Sequence, residues 1–181
     1  MFSAFGRALS AQAGTARLSV DGAVGVGPAL GGGERIDRGL FAADLLVAIR
    51  LSSDSHNASP VGFEVSRYRQ VGGDAICVLR TAHPDSGCIP KYPSFNGLNV
   101  VVGHQWGAFR VFGGPGYYTG FGANTPTTHS FGVGVRTDLA VHLDQLVAAT
   151  VAARGAWIPN VRGQSFVPGS VMVGLRLEIG S

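Results

Sequence analysis

Apolar and polar positions alternate along most of this chain. In "HSFGVGVRTDLAVHL", residues 129–143, Phe131, Val133, Val135, Thr137, Leu139, Val141 and Leu143 share one parity, while Arg136, Asp138 and His142 share the other. Side chains of a strand point alternately to its two faces, so this segment reads as a strand with an apolar face and an ionic face. The same period recurs in eight segments: 18–30, 40–51, 61–72, 96–106, 108–118, 131–143, 146–157 and 170–179. No convincing amphipathic helix interrupts them. Each is about the length of a tilted membrane-spanning strand, roughly 9–11 residues.

One strand does not say which face meets water. A soluble barrel packs its apolar face inward and solvates its ions, whereas a membrane barrel turns the apolar face to lipid and encloses the ions. The composition of the ionic face separates the two. It carries Asp21, Asp44, Arg50, Glu64, Arg110, Arg136, Asp138, His142, Arg154, Arg176 and Glu178, which without the histidine are as many acids as bases. Between these ions the face reads mostly as Gly, Ala and Asn, and it has no Lys. Small residues leave room inside a narrow barrel, and Arg binds carboxylates bidentately, so an enclosed salt-bridge network is expected there. With the N-terminus on the side of the tight turns, Asp21 and Arg176 fall at similar heights on the first and last strands. Those strands must pair if the sheet closes.

The aromatics are sorted by height. Phe41, Tyr117, Phe131 and Trp157 come at one end of their segments, and Phe63, Trp106 and Phe109 at the other, all in the apolar parity. Two aromatic belts flanking an aliphatic band form the girdles of a membrane barrel. Connections differ in the same sense. The third, fifth ("TGFGANTPTTHS") and seventh ("IPNVRGQSFVPG") read as long loops, whereas the "GA" after Trp106 and the "DQ" at Asp144-Gln145 are minimal.

With these features the chain resembles the small eight-stranded outer-membrane barrels of OmpA/OmpX type over residues 18–179. The last segment, "MVGLRLEI", is similar to the C-terminal insertion signal of such proteins, without the usual terminal aromatic. The resemblance implies an all-β, antiparallel up-and-down transmembrane barrel in a bacterial outer membrane. Membrane lipid and the outer-membrane assembly machinery are its implied partners, and a monomer its implied state. Residues 1–17 read as a tail or the remnant of an export signal, with Ala11-Gln12-Ala13 similar to a signal-peptidase site. Arg67 and Arg69 fall in the lipid parity, where a bulge that switches parity is the favoured expectation.

Bulk composition narrows the classes further. Charged residues make up 14%, mean hydropathy is +0.23 and there are 28 glycines, yet no run approaches the roughly 20 apolar residues of a spanning helix. A formal charge of +3, a single Lys at Lys91 and no basic cluster argue against nucleic acid. Cys77 and Cys88 enclose a turn-rich segment and are expected to form a disulfide. Metal binding is not expected, because His83 beside them leaves the ligand set short, and no cofactor is implied.

Three functional classes follow. The first is a plugged barrel with a structural or surface-interaction role. The second is a soluble lipocalin-like binding barrel, which needs the charged face outside. The third is a membrane-embedded lipid-modifying enzyme built from His104, His129 and Ser130. Adjacent His129 and Ser130 point to opposite faces of a strand, which is poor geometry for proton transfer, so no catalytic activity is expected.

Overall fold

The computed structural model describes residues 16–31, 34–51, 57–70, 94–122, 125–161 and 164–180. Nine strands run through them: β1 Ala16–Gly31, β2 Glu34–Leu51, β3 Asn57–Ala58, β4 Val61–Gln70, β5 Ser94–Trp106, β6 Phe109–Gly122, β7 Thr125–His142, β8 Val147–Val161 and β9 Gln164–Ile179. Each long strand pairs antiparallel with the next, β1 pairs with β9, and the sheet closes. The two-residue β3 and the longer β4 both pair with β5 and together make one stave, so the wall has eight. Closure leaves no unpaired edge, the condition for crossing a bilayer with strands.

The apolar parity faces outward. Val24, Leu45, Phe63, Val100, Val135, Leu139, Val151 and Val173 are all exposed on the outer wall, whereas Asp21, Asp44, Arg50, Glu64, Arg110, Arg136, Asp138, Arg154 and Arg176 of the charged parity are buried inside. Phe41, Phe63, Trp106, Phe109, Tyr117, Phe131 and Trp157 stand on the outer face as well, but Phe63, expected in one belt with Trp106 and Phe109, pairs with Val100 while Trp106 pairs with Asn57, so Phe63 lies within the aliphatic band. The rings of Trp106 and Phe109 stack at 6.1 Å beside their turn, and those of Tyr117 and Phe131 meet at 5.4 Å toward the other end. That turn is two residues long, and Gly107 takes φ 56°, a conformation open to glycine without steric cost.

Two expectations are corrected in the wall. The segments 119–130 and 158–169 are not long loops: β6 runs to Gly122 and β7 begins at Thr125, and β8 runs to Val161 and β9 begins at Gln164. Their Gly, Thr and Pro residues look like turn formers, yet the wall continues through them because paired hairpins still satisfy each other's backbone groups. Strands of 13–18 residues in β5, β2 and β7 thereby exceed what a bilayer needs. β4 ends at Gln70, β5 begins at Ser94, β6 ends at Gly122 and β7 begins at Thr125 on one side of the barrel, called the loop side below. Cys77 and Cys88 lie outside the described residues, and so does their pairing, as do residues 1–15 of the N-terminal segment.

The second correction concerns the third stave. No bulge switches parity in β4: its register with β2 is unbroken from Leu40↔Gln70 to Ile49↔Val61. Arg67 and Arg69 therefore point outward with Val61, Phe63 and Val65. An uninterrupted ladder on both sides leaves no place for an extra residue.

Closing the sheet brings backbones together where a side chain would not fit. A Cβ on Gly25 in β1 would lie 2.0 Å from the Val171 carbonyl oxygen and 2.6 Å from Met172 Cα in β9, across the closing seam. Gly22, on the same strand, has nothing within 4 Å. Gly25→Ala is expected to cost about 3 kcal/mol or more, because only backbone movement relieves the overlap. Gly22→Ala should leave the unfolding midpoint in urea unchanged, and equal midpoints for the two variants would contradict the close seam.

Candidate functional site

Among the described residues the barrel interior gathers most of the ionic side chains, and it is layered. Counting from the turn side, the first enclosed layer joins Asp21 of β1, Arg110 of β6, Asp138 of β7 and Arg176 of β9. Arg110 donates from Nη2 to Asp21 Oδ1 at 2.7 Å and from Nε to Asp138 Oδ1 at 3.0 Å. Arg176 donates from Nε to Asp21 Oδ1 at 2.7 Å and from Nη2 to Asp138. Asp21 and Arg176 are direct partners across the β1–β9 ladder. Two guanidiniums thus hold two carboxylates in a closed square, which is how charges are kept out of water without being stranded.

The second layer lies toward the loop side. Arg136 Nη1 is 2.8 Å from Asp44 Oδ2 and 3.9 Å from Glu64 Oε1, and its Nε reaches back to Asp138 Oδ2 at 3.3 Å. Arg154 donates to both oxygens of Glu64, at 2.9 and 2.7 Å. Asn99 donates to Glu64 at 3.0 Å and accepts from the Tyr118 hydroxyl at 2.7 Å. The four arginines and four carboxylates of the two layers balance, and each is at least nine-tenths buried. Arg136 is the residue that touches both layers.

Above the ions the interior turns apolar. Leu40, Tyr68, Phe95, Tyr118, Ile158, Phe166 and Met172 are buried together, and Phe95 stacks on Phe166 with centroids 5.0 Å apart. Arg154 lies over the Tyr68 ring at 5.0 Å, so a cation–π contact joins this cap to the ions below it. Leu46, Ala48, Val101 and Phe112 make a second apolar cluster, with Arg110 over Phe112 at 5.1 Å. Small residues do stand between the ions, with Ala23, Ala48, Ala140, Ala148, Ala152 and Ala156 all buried on this face, but the expectation left out the large side chains that pack into the room they leave. The available signal was their parity, which matches that of the arginines.

Arg50, His142 and Glu178 are not in the enclosed layers. They line a cavity of ≈ 570 Å³ at the turn-side mouth with Arg17, Gln105 and Gly180. Arg50 Nη1 donates to Gln105 Oε1 at 3.1 Å, and Glu178 lies 3.8 Å from Arg176. His142, expected to look into the barrel, is 55% exposed at the rim, 3.9 Å from Glu178. It is the last residue of β7, where the wall opens into its turn. His129 and Ser130 diverge: His129 Nδ1 is 2.6 Å from the Tyr117 hydroxyl on the outer face, while Ser130 donates to the Pro159 carbonyl.

Closed eight-stave topology, an apolar girdled exterior and an ion-filled interior together decide the architecture. The fold is that of the small outer-membrane β-barrels. Neisserial surface protein A (NspA) superposes with a TM-score of 0.51 over 90% of this chain and 96% of that one, at 14% identity. Ail, the attachment invasion locus protein of Yersinia pestis, in complex with the heparin analogue sucrose octasulfate, superposes with the same score over 91% of this chain and 99% of that one, at 10% identity. No family model matches the sequence, and no curated protein does. The barrel architecture is therefore shared at the level of fold.

Proposed function

We propose that this chain is a bacterial outer-membrane barrel that works as a closed, rigid anchor, with contacts to other molecules made from its loop side and no solute passing through it. The observation that carries this reading is the filled interior: two ion layers under an apolar cap. Eight strands leave a lumen just wide enough for side chains, and here they occupy it. The outward apolar face supports a bilayer setting over a soluble lipocalin-like barrel, whose charged face would be solvated. The partners are membrane lipid and, during biogenesis, the outer-membrane assembly machinery, and the barrel acts as a monomer. NspA is named a surface protein and Ail an attachment protein, so surface contact is within the range of this fold.

Planar-bilayer recording tests the closed lumen. Refolded protein is expected to insert without stable, porin-sized conductance steps, and such steps would overturn the reading. Gel mobility in mild SDS supplies the companion result. Unboiled, folded barrel should migrate differently from the boiled chain, and solubility as a monomer without detergent would favour the lipocalin-like alternative.

A further inference from the structure

Among the described side chains, Arg67 and Arg69 are the only Lys or Arg on the outer wall. Their unbroken register rules out a turn inward. Toward the turn side on the same stave, Val65, Phe63 and Val61 form an apolar ladder that meets acyl chains. Arg69 pairs with Phe41 across the β2–β4 ladder, and Arg67 pairs with Asn96 of β5. One step below Arg67, the row of Val65 continues through Leu98 to Tyr117 and Phe131. Arg69 thus stands beside Phe41 of the loop-side belt, and Arg67 one step above the row that ends in Tyr117 and Phe131.

That level is where headgroups begin. Cations are tolerated on a lipid-facing wall only near the interface, where the long stem lies along apolar surface and the guanidinium reaches polar groups. Two arginines at i and i+2 on one face are about 7 Å apart along the strand, so their like charges favour a shared anion. A guanidinium is a planar fork of N–H donors that can bind two oxygens of a tetrahedral phosphate at once. The turn-side belt holds Trp106, Phe109 and His104 but no described Arg or Lys, so the site belongs to one leaflet.

We infer that Arg67 and Arg69 form a binding site for the anionic phosphate of a lipid headgroup in the loop-side leaflet, fixing one lipid beside β4. The inference rests on the bilayer reading above. Its source is a lipid and not free phosphate, because the apolar ladder directly below supplies the seat for the acyl chains.

The test uses the refolded full chain in phosphatidylcholine nanodiscs doped with phosphatidic acid, released into native mass spectrometry. Wild type is expected to retain one phosphatidic acid molecule in preference to phosphatidylcholine. The Arg67→Gln/Arg69→Gln double variant should lose that preference on the order of 30-fold, since each basic residue near an anionic surface adds roughly tenfold or less. Arg67→Lys/Arg69→Lys should keep part of it, because charge survives without the bidentate fork. Equal retention by wild type and the Gln variant overturns the site, and so does displacement of the lipid by inorganic phosphate, which would mark a free-anion site. Heat-dependent gel mobility reports whether each variant is folded. A wild-type chain that fails to enter nanodiscs would sink the bilayer reading itself, a result distinct from loss of lipid preference.

Discussion

Arg136→Ala is expected to destabilise the barrel by about 3–5 kcal/mol, the range for removing one partner from a buried ion pair. The reason lies in what its neighbours retain. Asp138 keeps Arg110 and Arg176, and Glu64 keeps Arg154. Asp44 loses its 2.8 Å contact and is left with Arg154 at 4.0 Å, with almost no exposure to water. Arg176→Ala should cost less, because Asp21 and Asp138 both still hold Arg110. Gln145→Ala, at an exposed turn, should cost nothing measurable.

Urea unfolding in lipid or detergent orders the three variants. The expected ranking is Arg136→Ala below Arg176→Ala, with Gln145→Ala at the wild-type midpoint. A second change sharpens the point: Asp44→Ala added to Arg136→Ala should recover part of the loss, since the stranded carboxylate is gone. Equal midpoints for Arg136→Ala and Gln145→Ala would mean that the buried network contributes no stability.

The alternation that makes this barrel legible in sequence is simple because a wall exposed to lipid on one side imposes one rule on every strand. Parity puts Val133 and Val135 on one face and Arg136 and Asp138 on the other, the Lys-free, acid–base-balanced ionic face says which of them is inside, and closure adds Asp21 opposite Arg176. Parity does not report what lies inside beyond charge. Tyr68, Phe95, Tyr118 and Phe166 share the face of the arginines, and an aromatic on that face carries no local mark that separates an interior filler from an irregularity. Strand ends were harder still. Gly122, Thr125 and Gln164 lie within strands despite their turn-forming neighbours, because pairing between partners, a nonlocal term, outweighs local preference. Arg67 and Arg69 look like a fault in the pattern only if lipid is treated as uniformly apolar. Near the headgroups an outward arginine has a favourable place, and no bulge is needed.

Truncating the apolar cap is the other large expected effect, and it separates filling from sealing. Phe95 and Phe166 are each no more than 1% exposed and stack on one another. Phe166→Ala alone should cost about 3–5 kcal/mol, the range for losing a buried aromatic side chain and leaving a cavity. Adding Phe95→Ala should cost less than a second full increment, because the first truncation already removes the contact between the rings. Neither variant is expected to conduct. The ion layers beneath span the lumen from Asp21 to Glu64 through Arg110, Arg136, Arg154 and Arg176, and the cap's contacts to them run through Tyr68 and Tyr118, which both variants keep. By the same logic Arg136→Ala should stay closed in bilayer recordings, because the cap remains above it. Conductance should emerge only when Arg136→Ala is combined with Phe95→Ala and Phe166→Ala, provided that barrel still folds by gel mobility. Stable conductance from the cap variant alone would show that the apolar cluster is the seal and that the ion layers admit ions through themselves.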